Sequence, residues 1–389
     1  MAQTGFIVGT ADGNGADIGD LLVARDIFSE GGLWTWGYDA YGGLGDSSLV
    51  DKSSPVQTIA AGTNWKQVAG GAYNTAAIKT DGTLWTCGYN IYGQLGNSSI
   101  SHRSSPVQTI SAGTNWKQVA GGFFHTAAIK TDGTLWTWGI NGYGQLGDST
   151  IVSKSSPVQT IAANTTNWKQ VSCGGNHTAA IKTDGTLWTC GYNGYGQLGD
   201  STLVSKSSPV QTIAANTTWK QVACGSTHTA AIKTDGTLWT WGYNQNGELG
   251  NSSISYRSSP VQTIAGGTNW KQVAGGTYHT AAIKTNGTLW TWGRGAFGPL
   301  GDSTTLSKSS PVQTIAGGTN WKQVFCGGYH TAVIKTDGTL WSWGYNVFGG
   351  LGDSTTTDKS SPVQTIAGGT NWKQVSCGLY HTAAIKDDM

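Results

Sequence analysis

The chain has 389 residues, of which 11% are charged, and a formal net charge of +2. That balance excludes a clustered basic footprint for nucleic acid, and no run approaches the ~18 apolar residues that would cross a membrane. The start of the chain shows no basic segment leading into an apolar run, so no secretory signal is visible.

Residues 1–30 differ in composition from everything that follows. They carry five acids (Asp12, Asp17, Asp20, Asp26, Glu30) and one base, Arg25. Asp17 can N-cap a short helix presenting Ile18, Leu21 and Leu22, with Ile27 and Phe28 nearby, and Phe6, Ile7 and Val8 form a small apolar run. The segment has little to bury by itself, so residues 1–31 are expected to be a docking or anchoring arm ahead of a second unit, 32–389. Asp12–Asp17 faintly resembles a calcium loop. An EF-hand would need an acid or amide at Ala16, glycine at Asp17 and glutamate at Val23, so a polar turn is expected.

From residue 32 the chain repeats itself. Leu-Trp recurs at Leu33, Leu84, Leu135, Leu187, Leu238, Leu289 and Leu340, at spacings of 51 or 52. Each unit holds four strand-like runs: Trp-Lys-Gln-Val, His-Thr-Ala-Ala-Ile-Lys, Leu-Trp-Thr-Trp-Gly and Pro-Val-Gln-Thr-Ile. Asp-Gly between the second and third runs, as at Asp81-Gly82, predicts a tight type I′ hairpin. Proline opening the fourth run predicts the outermost strand. The first unit supplies only a third and fourth strand and the last, from Trp372 to Lys386, only a first and second. The predicted fold is therefore all-β: a seven-bladed propeller of four-stranded antiparallel blades, closed by two N-terminal plus two C-terminal strands in one blade.

All nineteen tryptophans fall in three columns of the repeat, which predicts packing between blades and not an exposed stacking platform. Cys87 and Cys190 stand where siblings have Trp138 or Trp241. Cys173, Cys224, Cys326 and Cys377 stand where siblings have Gly70, Gly121 or Gly275. Small buried thiols in a reduced setting are expected. The six repeat histidines (His125, His177, His228, His279, His330, His381) are spread around the ring, so hydrogen bonding is expected and zinc binding is not. Asn74, in the same slot, keeps the capacity to hydrogen-bond. Only two glutamates occur, most aspartates in the repeats sit in turns, and no nucleophile elbow or phosphate-binding loop is present. No catalytic residue, cofactor or metal is expected.

Differences between the copies gather in two connections. One is the turn between the first two strands, at Tyr73, Phe123-Phe124, Tyr278, Tyr329 and Tyr380. The other is the loop between the last two, at Ile91-Tyr92, Phe297 and Phe348, with Arg294 in place of a usual tyrosine and Pro299 in place of a usual glutamine. Both connections emerge on one face of an up-and-down blade. That face is aromatic and diverse, as binding hot spots are, and it is the expected partner surface; packing over the blade ends is the competing reading.

Gly-Tyr-Asn-Gly-Tyr-Gly-Gln-Leu-Gly-Asp at Gly191–Asp200, Cys-Gly-Gly-Tyr-His-Thr at Cys326–Thr331 and the Leu-Trp-Thr-Trp-Gly strands resemble the regulator-of-chromosome-condensation repeat family. The resemblance covers 32–386 and implies the propeller fold, whereas function does not follow from fold. The leading expectation is a non-enzymatic scaffold resembling bacteriophage particle proteins: virion-located, bound to other virion proteins through residues 1–30, and projecting the propeller toward a host receptor or glycan. The alternative is a cytoplasmic protein-interaction propeller. Less favoured are a secreted inhibitor or glycan binder and a guanine-nucleotide exchange factor, which would need an inserted wedge that the uniform loops lack. Neither nucleic acid nor membrane insertion is expected.

Overall fold

The computed structural model describes residues 31–59, 62–110, 113–161, 166–213, 218–265 and 267–387. The predicted arm residues Phe6, Ile7, Val8, Ile18, Leu21, Leu22, Ile27 and Phe28 lie outside them.

The described residues form seven four-stranded antiparallel sheets. The first blade is the composite one, with strands 52–57, 32–37, 381–386 and 372–377 side by side and Leu33 opposite Ile385. Blades two to seven follow in order as 65–108, 116–159, 168–211, 219–262, 270–313 and 321–364. Ring closure is therefore made by backbone ladders between the two ends of the repeat array, which leaves no blade unpaired.

Two local expectations are corrected. The Asp-Gly hairpin is not type I′. Gly82 N–H donates to Lys79 C=O and Lys79 N–H to Thr83 C=O, and only the glycine is left-handed, at φ 79°. This is a three-residue loop, a type I turn followed by a left-handed residue. Asp81 fixes it by accepting both the amide and the hydroxyl of Thr83, and the same hydroxyl accepts from Trp85 Nε1. The fourth strand starts three residues before its proline, at Lys52, and the register slips between the Val56 and Lys52 pairings. Pro55 lies inside that bulge, where its missing N–H costs no ladder bond. The bulged backbone is put to use: Ser53 C=O accepts from Ser354 N–H of the neighbouring blade.

The core lies between blades. One layer joins Ala76, Ile78 and Leu84 of the second blade to Trp116, Val119 and Trp138 of the third, and the pattern recurs around the ring. Trp138 Nε1 donates to Gln94 C=O across that layer, and Trp241 to Gln197 C=O. Cys87 and Cys190 point their thiols at the matching carbonyls of Gly43 and Gln145, each at 3.5 Å. Burial pushes both thiols up to about 12, so they stay protonated and inert. Nearer the axis, Gln67 joins adjacent innermost strands by accepting from Val119 N–H and donating to Val119 C=O.

Candidate interaction face

The face is positioned by the second strands. His125 Nε2 lies 2.9 Å from Thr178 Oγ1 of the next blade, and the Thr178 hydroxyl donates to Gln145 C=O. A threonine hydroxyl has one proton, so the imidazole must be the donor: neutral, with its hydrogen on Nε2. Burial keeps it so, lowering His125 to about 4 and His177 to about 3. Asn74 occupies the same slot, but its Nδ2 finds no partner among the described residues. The expected hydrogen bond is absent there because the asparagine side chain is shorter than histidine's. Cys173, Cys224, Cys326 and Cys377 line the central channel and direct their thiols to carbonyls of the preceding blade.

Above these strands the two variable connections meet. Tyr278, Tyr329, Tyr380, Tyr73 and Phe124 form an unbroken arc of ring contacts around the channel mouth, with Tyr329 and Tyr380 stacked at 5.9 Å. The fourth and fifth blades put Asn176 and Thr227 in the equivalent positions, so a polar gap interrupts the arc. Tyr92 joins the arc through Phe124, Phe348 through Tyr380, Phe297 through Tyr329 and Phe123 through Phe124. Ile91 stands apart on a loop tip, 44% exposed.

The tyrosine following the third strand belongs to the repeat hallmark and also faces the loops. It supplies a second tier: Tyr38, Tyr89, Tyr243 and Tyr345 bridge the arc to the outer loops, while Tyr192, beside the polar gap, meets among the described residues only the outer-loop rings of Tyr143 and Tyr195. Its signal was present, since an aromatic directly after a strand-ending glycine has left the sheet. Most of these rings are half-buried against one another. Packing over the blade ends and display to solvent therefore coexist in the same residues.

Two carboxylates on this face sit in unusual surroundings. Asn90 donates its side-chain amide to Asn97 Oδ1, Ser99 C=O and Ser101 C=O. Asp39 holds that position in the first blade, where the corresponding acceptors are Asp46, Ser48 and Val50. Burial and the Asp46 charge raise Asp39 to about 7, against the pull of a hydrogen bond from Leu44 N–H. Glu248, fully buried, replaces the glutamine of siblings such as Gln197, and burial raises it as well.

The opposite face is nearly uniform. Each second-strand lysine lies between two tryptophans, as Lys79 does 4.9 Å from the ring centres of Trp65 and Trp85. On the aromatic side, at the outer edge of the loops between third and fourth strands, fourth-strand lysines pair with loop aspartates, as Lys52 does with Asp46 at 3.5 Å.

A closed ring of seven four-stranded antiparallel blades defines a seven-bladed β-propeller, here with its variable loops gathered on one face. The RCC1-like domain model matches residues 152–389, and the regulator of chromosome condensation (RCC1) repeat matches 30–78, 81–129, 65–94 and 116–145. The chain is 31% identical over 355 residues to the ultraviolet-B receptor UVR8 of Arabidopsis thaliana, covering 90% of this chain and 79% of that one. It is also 31% identical to the mouse E3 ubiquitin-protein ligase HERC2, of which it spans only 8%. Among solved structures, Prp20p of Saccharomyces cerevisiae superposes with a TM-score of 0.83 at 18% identity, covering 96% of this chain and 95% of that one. Human WBSCR16 gives 0.82 at 22%, covering 92% and 99%. At those identities the structural likeness speaks for the fold. The chain belongs to the regulator-of-chromosome-condensation (RCC1) repeat family.

Proposed function

We propose that this propeller is a non-enzymatic interaction module that holds a protein partner on its aromatic face. The observation that carries the reading is the arc itself. Copies that are otherwise near-identical differ where they ring the channel mouth, and the side chains gathered there are the aromatic and arginine types that dominate binding hot spots. The relatives point the same way: one is named a receptor, and one solved structure is titled for Prp20p binding to Gsp1p and histones. They give no support to the virion reading, and the interaction module replaces it as the main reading. Residues 1–31 are proposed as a separate docking arm, because the chain enters the ring at Gly31, whose carbonyl accepts from Trp65 N–H at the hairpin end, opposite the aromatic face.

Phe297 offers the cleanest test. It is 39% exposed and held at φ 72°, a left-handed conformation that bulky residues rarely adopt. Phe297→Asn removes the ring, relieves the backbone and copies the sibling residue Asn246. Proteins captured by the wild-type chain from its source cells should be lost by Phe297→Asn and by Tyr278→Ala. Thermal unfolding should be unchanged for the first and modestly lowered for the second, whose ring is half-buried. Unchanged capture by both variants would overturn the reading.

A further inference from the structure

The strongest departures from the repeat converge where the fifth, sixth and seventh blades meet. Glutamine has become Glu248, tyrosine Arg294, asparagine Gly295 and glutamine Pro299, and Phe297 has been turned left-handed. The Arg294 guanidinium carbon lies 5.3 Å from the ring centre of Tyr278, 5.9 Å from that of Tyr329 and 6.0 Å from that of Phe297. Among the described residues, no hydrogen-bond or ion-pair partner sits on that guanidinium. It is a planar fork of donors steadied by three aromatic rings and left open at the rim of the channel mouth.

Glu248 does not close the site. Its two carboxylate oxygens accept from Asn246, one from the backbone N–H at 2.9 Å and one from Nδ2 at 2.7 Å. The glutamate acts on Arg294 only as a background charge; burial raises its titration, and the arginine offsets part of that rise. Among the described residues, no other lysine or arginine head group touches the rings of this face: the second-strand lysines are clasped by tryptophans on the other face. One cation with a buried carboxylate behind it suits one negative charge and is too weak for a polyanion.

From this geometry we infer that Arg294 is the receptor for a single carboxylate, supplied by an acidic segment of the protein partner. The carboxylate accepts two parallel N–H donors of the guanidinium, while Tyr278, Tyr329 and Phe297 exclude water around the pair. The inference rests on the interaction reading above and adds to it the chemistry of the bound segment.

The test uses the full chain with arginine side chains labelled with nitrogen-15. The probes are the α-methylamide of N-acetylglutamate, its uncharged glutamine counterpart, and inorganic phosphate. The resonance missing in Arg294→Tyr should shift saturably with the glutamate probe and stay still with the glutamine one. Arg294→Tyr installs the sibling residue, so it folds normally. Glu248→Gln, also a sibling residue, should tighten the glutamate probe roughly three- to tenfold by removing the opposing charge. A response equal for both amino-acid probes, tighter binding of phosphate, or weakening by Glu248→Gln would overturn the inference. Capture from source cells separates the two readings. Partners lost by Phe297→Asn but kept by Arg294→Tyr would leave the aromatic face standing and remove the carboxylate receptor, while partners kept by both variants would remove the face as well.

Discussion

The first and second blades and the junction of the sixth and seventh both depart from the common repeat, with opposite consequences. In the early blades the departures are buried and lose or weaken hydrogen bonds. Asn74 leaves an amide unpaired, Cys87 puts a thiol where siblings place an indole, and Asp39 points a carboxyl where Asn90 offers donors. At the later junction the departures collect at the surface around Arg294 and Phe297 and add exposed chemistry. Drift in the interblade layer is thus paid in stability, whereas drift at the channel mouth changes what the molecule can touch.

The contrast can be tested by moving residues between copies. The largest effect is expected from an unaltered interblade contact. Trp241 is fully buried and donates to Gln197 C=O, so Trp241→Ala should lower unfolding stability by about 3–5 kcal/mol, read from the denaturant midpoint. A loss below about 1 kcal/mol would mean that the layer is not the main core.

Asp39→Asn should come next and should depend on pH. The folded value, about 7, stands above the ordinary carboxyl value of ~3.9, so the native state holds the proton that the unfolded chain has released. Its contribution is whole below about pH 4 and is lost progressively as pH rises through 7. Asparagine keeps the donors at all pH values. The variant should therefore gain up to about 4 kcal/mol at pH 8 and next to nothing at pH 4, measured by urea unfolding across that range. A gain that does not vary with pH would show that Asp39 does not carry the proton.

Asn74→His is expected to give the smallest change. It should restore the bond that siblings make to the next blade, here to Thr126, and gain about 1 kcal/mol. A calorimetric midpoint that fails to rise would mean that the second and third blades are spaced too far apart for the contact.

Blade number, strand order and ring closure were legible in the chain because each is set by contacts close in sequence or by exact recurrence. The half-units at Leu33 and Trp372 announced the composite blade, and the tryptophan columns announced the interblade core. The hairpin departs from the type I′ expectation because Asp81 hydrogen-bonds to Thr83, a side-chain preference that favours a three-residue loop over the tighter turn. The fourth strand begins before its proline because a bulge accommodates that residue as well as a strand start does. Of the face, the sequence pointed to the inner ring positions but not to the second tier of tyrosines, nor to the convergence of Glu248 and Arg294.

Those last features belong to tertiary structure. Repetition determines which column a residue occupies and therefore which face it joins, and that much needs no coordinates. How far a ring is buried, which ring of the next blade it meets and whether a charge keeps its hydrogen bonds depend on residues about one repeat away. Arg294 remains open because Asn246, beside Glu248 in the preceding blade, has already taken the carboxylate oxygens.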